Sequence, residues 1–199
     1  EKAARGVENP AAGEYAWGTS QITDISSTIT NAGSDSEKAG NTSIPSQHGI
    51  ANTTHADASN PVLTGPLRVG FAAATFASPN RQNTGGSYYG VMELSGNVNE
   101  LVVSLNTPEG FGFTGSHGKG LLDVNGFATA ANNPDWPGNN GGELKGGNGL
   151  GTRGGDWDSL LNTGNKFIRV SSRGNYTNTT TSRGLGGKNQ GGRCVRTAP

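Results

Sequence analysis

The stretch from Tyr88 to Val103, YYGVMELSGNVNELVV, constrains this chain more than any other. Apolar Val91, Met92 and Leu94 lead into a tight Ser-Gly-Asn turn at Ser95 to Asn97. Leu101, Val102 and Val103 close it on the far side. A glycine turn between two apolar anchors reads as a loop pinned at both ends. Glu93 and Glu100 flank the turn, seven residues apart (100 − 93). Carboxylates combined with backbone carbonyls freed by a turn are the hard oxygen donors that calcium prefers. The alternative reading is a polar turn joining two buried segments.

Composition decides what surrounds that turn. Only 31% of the 199 residues are hydrophobic and 34 are glycine, so the chain is expected to be rich in loops and short elements. Disorder competes with that reading. The low charged fraction, 15%, and the spacing of three Trp, six Phe and four Tyr favour a packed domain. Fifteen acidic and fifteen basic residues give zero net charge, which argues against a nucleic acid partner. Cys194 is the sole cysteine, so an internal disulfide and a two-cysteine metal site are both excluded. No segment approaches the roughly 20 apolar residues of a membrane span.

Along the chain, Glu1 to Gly6 reads as the end of a helix stopped by glycine. Tyr15 and Trp17 are expected in the core. A long polar loop runs from Thr19 to about Pro66, with Gln21 to Ile25 as a short edge strand. His48, His55 and His117 lack metal-ligand spacing and read as solvated or hydrogen-bonded. Asp24, Asp35 and Asp57 carry no clear calcium motif. Leu67 to Phe76 reads as a short buried strand or turn, and Ser78 to Ser87 as a surface loop. Phe111, Phe113, Phe127 and Trp136 are expected to anchor glycine-rich loops, with ligand contact as the alternative. Pro134 to Gly138 is a turn. Arg153 to Gly155 reads as a strand, with Trp157 as its core anchor. Asn165 to Ser172 alternates as a strand does, and Gly192 to Arg196 reads as a closing strand. Arg169, Arg173 and Arg193 are expected to fix loop carbonyls and carboxylates.

Four landmarks, in order, carry a family resemblance. YYGVMELSGNVNELV resembles the "YGLYDMxGNVWEW" signature of the formylglycine-generating-enzyme-like (sulfatase-modifying factor) family. Glu1 to Gly6 followed by Tyr15-Ala16-Trp17-Gly18 resembles that family's "EWEKAARG…YPWG" opening. Arg153 to Trp157 resembles its "RGGSW", and Gly191 to Arg196 its terminal "GFRCVR". The resemblance implies one α+β domain over residues 1–199, loop-rich and C-type-lectin-like, with short antiparallel strands and few helices. It also implies that an N-terminal part of the domain precedes Glu1. Glu93 and Glu100 match side-chain calcium ligands of the family, and Gly96 and Val98 match backbone-carbonyl ligands. Glu93 stands where the family has Asn or Asp, which lengthens that arm. Asn99 and Leu101 stand where tryptophans are common.

The family's oxidative chemistry uses two cysteines that hold copper. Their places fall on Asn165 and Val170, and neither supplies the sulfur that Cu(I) requires. Cys194 matches a structural cysteine. The expectation is therefore a non-catalytic, calcium-supported module for binding or assembly, located outside the cell or on its surface. Asn175, Tyr176, Thr177, Asn178 and Thr180 lie where related binding proteins display variable residues. Such side chains suit adaptable recognition of a protein or glycan ligand, and they equally suit a plain soluble loop. Two other functions compete: a structural subunit of a larger surface, secretion or filament complex, and a copper- or iron-dependent oxidase with unusual ligands.

Overall fold

Lys2–Arg5 forms a single helical turn, α1, which stops at Gly6 with φ 66°. A Cβ on Gly6 would stand 2.3 Å from the Tyr88 ring, so the stop also makes room for that aromatic. This helix opens a computed structural model that describes residues 1–25, 29–40, 43–53, 65–103, 108–114, 124, 139–140, 143–144, 149–157, 166–172 and 190–191. Secondary structure is sparse, as the glycine content predicts: three short helices and short strands in small sheets among the described residues. The chain divides into two compact units. The first comprises Glu1–Asn99 and Gly154–Arg173, the second Glu100–Arg153 and Gly174–Pro199.

In the first unit, β1 (Gln21–Asp24) pairs with β4 (His48–Ala51). The pairing is parallel, with Gln21 opposite His48, where short antiparallel strands were expected. Parallel neighbours need a long crossover, and the polar segment between these strands supplies it. That segment includes a small antiparallel pair, β2 (Ile29–Thr30) with β3 (Lys38–Ala39). Leu67 to Phe76 contains a helix, α2 (Phe71–Thr75), where a short buried strand or turn was expected. Phe71, Ala72 and Thr75 are its buried residues, and the Thr75 hydroxyl bridges from the Phe71 carbonyl to the Ala39 N–H. Residues 166–168 likewise form a 3-10 turn where alternation predicted a strand. This turn packs against Gly155, where a Cβ would stand 2.3 Å from Ile168 Cγ2.

Two apolar clusters hold this unit. One gathers Ala4, Tyr15, Ala16, Trp17, Ala51, Ile168 and Val170. The other gathers Ile25, Ala39, Ile50, Phe71 and Ala72. Tyr15 and Trp17 pack 4.9 Å apart, and Trp17 and Trp157 are each 1% exposed. Each buried tryptophan contributes about 4–6 kcal/mol of transfer free energy, taking 150–250 Å² at roughly 25 cal/mol/Å². The Trp17 ring covers Gly49 of β4, and its indole N–H donates to the Gln21 carbonyl at 2.9 Å.

Arginine fixes loops at two positions the sequence did not single out, Arg5 and Arg81. Buried Glu14 is paired with Arg5. Arg81 pairs with Glu8 at 2.6 Å, donates to the carbonyls of Ala4 and Ala16, and lies over the Tyr88 ring. Arg169 places its guanidinium against Gly13. Arg173, Arg193, Asn165, Cys194 and the expected turn at 134–138 lie outside the described residues.

In the second unit, a three-stranded sheet has the order β8 (Leu150–Arg153), β5 (Asn99–Val103), β9 (Gln190–Gly191). β5 and β8 run antiparallel, with Glu100 opposite Arg153. The strand expected at Arg153 to Gly155 thus ends at Arg153, because Gly154 and Gly155 take positive φ. β6 (Asn139–Asn140) and β7 (Glu143–Leu144) form an antiparallel pair, and α3 (Pro108–Phe111) is one turn. Phe111 is 70% exposed, so it does not anchor its loop on a core. Phe127 and Trp136 lie outside the described residues. Among the described residues, no helix is long and apolar enough to cross a membrane.

Candidate functional site

The Ser-Gly-Asn turn is the polar centre of the first unit. The buried Ser95 hydroxyl accepts from the Ala16 N–H at 3.1 Å, although 79 residues separate them. The Gly96 N–H donates to the Gly154 carbonyl at 2.8 Å. A Cβ on Gly96, whose φ is 89°, would stand 2.6 Å from the Asn52 carbonyl oxygen. Only glycine fits that approach.

Asn97 does the most. Its backbone has φ 68°, a conformation asparagine tolerates better than most residues. Its N–H donates to the Asn52 carbonyl at 2.8 Å, and its own carbonyl accepts from the Trp157 N–H at 2.9 Å. Its amide oxygen accepts from the Leu67 N–H at 2.7 Å and from Asn52 Nδ2 at 3.4 Å. Its amide nitrogen donates to the Leu67 carbonyl at 3.0 Å. One side chain thereby serves both backbone groups of Leu67, as a paired strand residue would. Asn99, at the tryptophan position of the family signature, donates to the Asp156 carboxylate. Asn52 Oδ1 and Asn99 Oδ1 are buried and have no hydrogen-bond partner among the described residues.

The four expected metal ligands are divided between the units. Glu93, Gly96 and Val98 belong to the first and Glu100 to the second. Glu93 is 8% exposed, has φ 55°, and accepts from the Gly70 N–H at 3.1 Å. The Asn97 carbonyl is bonded to Trp157. The flanking carbonyls of Gly96 and Val98 accept no hydrogen bond among the described residues. A buried carboxylate and two open carbonyls are donors of the type a hard cation takes, so the part of the set in the first unit fits calcium chemically. Among the described residues, no group of three or more His, Cys, Asp or Glu side chains is arranged to hold a metal ion.

Asp24 acts within the protein, accepting from the N–H and hydroxyl of Thr53. Asp35 is exposed, and Asp57 lies outside the described residues. His48 is hydrogen-bonded, as expected, to Ile22 and Thr23. His55 and His117 lie outside the described residues, as do Asn175, Tyr176, Thr177, Asn178 and Thr180. Sequence reasoning missed Asn52, the partner of both Gly96 and Asn97. Its only signal was a polar residue directly after an apolar strand end.

No protein-family model, curated protein or solved structure matches this chain.

Proposed function

We propose that this chain is a non-catalytic, C-type-lectin-like module that binds a protein or glycan ligand, or assembles with partners, outside the cytoplasm. The observation that carries this reading is the convergence of three sequence landmarks on one turn. Ser95 reaches Ala16 of the Tyr-Ala-Trp-Gly opening, and Gly96 and Asn97 reach Gly154 and Trp157 of the Arg-Gly-Gly-Asp-Trp segment. A shared scaffold with the formylglycine-generating-enzyme-like family accounts for that convergence. Fold alone does not carry the family's chemistry. Val170, at the place of one copper-binding thiol, is 8% exposed and packs in the cluster that contains Trp17 and Ile168. A branched aliphatic side chain there supports a core role.

The test combines Cu(I) loading of the purified chain with oxygen uptake in the presence of a cysteine peptide. No retained copper and no thiol-dependent uptake are expected. Stoichiometric copper with uptake would overturn the reading in favour of an oxidase.

Calcium is the structural ion in this reading, with Glu93, Gly96 and Val98 as its ligands in the first unit and Glu100 matched from the resemblance. A ligand at about 100 times its Kd stabilises by about 2.7 kcal/mol. EGTA is therefore expected to lower the melting temperature of calcium-loaded protein by roughly 5–10 °C, at about 2–4 °C per kcal/mol. An unchanged calorimetric melt removes calcium from the proposal.

A second reading, a structural subunit of a larger assembly, is favoured by one surface feature. Tyr88 and Tyr89 form an edge-to-face pair and are 41% and 58% exposed. Val7 is 82% exposed and follows Gly6, which abuts the Tyr88 ring. Concentration-dependent sedimentation would favour that reading over a free module.

A further inference from the structure

A cleft in the first unit, of about 360 Å³, is lined by residues 43–48, Phe76, Asn80, Gln82 and Asn83. Its volume falls in the roughly 300–1,000 Å³ range of small-ligand sites. Among the described residues, no Asp, Glu, Lys or Arg lines it. We propose that this cleft binds a neutral pyranose chain, with Gln47, Gln82, Asn80 and His48 as its hydrogen-bonding groups and Phe76 as the surface on which a sugar ring lies. The inference rests on the binding-module reading and names its ligand class.

Both walls are fixed before any ligand arrives. On one side, Asn80 and Asn83 cap each other: the N–H of each donates to the side-chain oxygen of the other, at 2.8 and 2.9 Å. Asn83 Nδ2 donates to Ser78, and Thr84 bonds back to the Asn80 carbonyl through both N–H and hydroxyl. These bonds occupy both amide oxygens and leave Asn80 Nδ2 as a donor. On the other side, Gln47 has φ 69°, and its carbonyl is held by the Thr19 hydroxyl at 2.5 Å. Prearranged polar groups lose little entropy on binding.

The chemistry of the lining selects the ligand. The side-chain amides of Gln47 and Gln82 make no hydrogen bond among the described residues, so each offers a donor and an acceptor. His48 Nδ1 lies 3.1 Å from the Ile22 carbonyl, which can only accept. Nδ1 therefore bears a hydrogen toward that carbonyl, and Nε2 is the ring nitrogen left to face a ligand. Mixed donors and acceptors without formal charge match hydroxyl groups, each of which both donates and accepts. An anionic ligand would find no counter-charge. Phe76 is half-buried against the second core cluster, which fixes its ring. A flat pyranose face supplies the C–H surface for that ring. A peptide is less well matched, because its repeating backbone groups are best met by a strand edge.

The test titrates the full chain with cellohexaose, xylohexaose and mannohexaose, followed by calorimetry and amide chemical shifts. At least one is expected to bind with shifts confined to residues 43–48 and 76–84. Gln82→Ala should weaken it about fivefold, and Gln47→Ala with Gln82→Ala should abolish it while the melting temperature stays unchanged. The proposal is overturned if none of the three binds. It is also overturned if the double variant binds as well as the parent, or if a neutral Ser-Asn-Gln-Ser peptide occupies the cleft in their place. Copper loading is indifferent to all of these outcomes, so failure here leaves the non-catalytic reading standing.

Discussion

Asn97→Ala is expected to lower the melting temperature by about 10–15 °C. The side chain makes three hydrogen bonds, two to the backbone of Leu67 and one to Asn52. Each contributes about 1 kcal/mol net, and an alanine at positive φ costs a further ~1–2 kcal/mol. The sum, about 4–5 kcal/mol, converts at about 2–4 °C per kcal/mol. Asn97→Asp separates the contributions. It keeps an acceptor for the Leu67 N–H and tolerates the backbone conformation, but loses the donor to the Leu67 carbonyl. An intermediate loss is expected by calorimetry. A fall below about 3 °C for the alanine variant would mean that the turn is not the polar centre of the first unit.

Gly49→Ala should be more damaging than its single added methyl suggests. A Cβ at that position would stand 2.2 Å from Trp17 Cδ2 and 2.3 Å from Cε2. Trp17 is 1% exposed and cannot swing outward without leaving its cluster. Its N–H would also lose the Gln21 carbonyl, and β1 would lose a tie to the loop before it. Overpacking of this kind typically costs about 1–3 kcal/mol, and displacing a buried tryptophan costs about 3–5 kcal/mol. Loss of soluble protein, or a large fall in the urea midpoint followed by tryptophan fluorescence, is expected. Gly65→Ala is the control, since nothing lies within 4 Å of its Cβ position and its φ is unstrained. Equal stability of the two variants would show that Trp17 does not rest on Gly49.

The contrast between these glycines shows what the sequence could and could not announce. Tyr15, Trp17 and Trp157 were legible as core residues, because large aromatics in a chain of 31% hydrophobic residues have few other uses. Gly6 was legible as a helix stop. The Ser-Gly-Asn turn was legible as a pinned loop, since apolar residues flank it on both sides. The parallel pairing of β1 with β4 was not legible, because neither four-residue strand carries a pattern that names a partner. Leu67 to Phe76 and Asn165 to Ser172 misled for a related reason: three to five residues of helix are too few for a 3.6 period to separate from alternation. Asn52 was invisible, since its role exists only once Gly96 and Asn97 lie against it. The polar residues of the cleft, at 43–48, 80, 82 and 83, were read as loop for the same reason. Polar side chains declare a site through their arrangement, and arrangement is a property of the folded chain.

The Ser95 and Ala16 contact has a consequence for biosynthesis. The Ala16 N–H is met only after Ser95 exists, and the neighbouring Glu14 carbonyl is met by Val170. A ribosome adding ~5–20 residues per second needs on the order of ten seconds or more to travel that far. Through that interval the opening aromatics stand in the open beside a growing chain, as candidates for chaperone capture. Maturation of this protein is thus timed by its late residues, and slowing translation before Trp17 should cost it less than slowing translation between Trp17 and Val170.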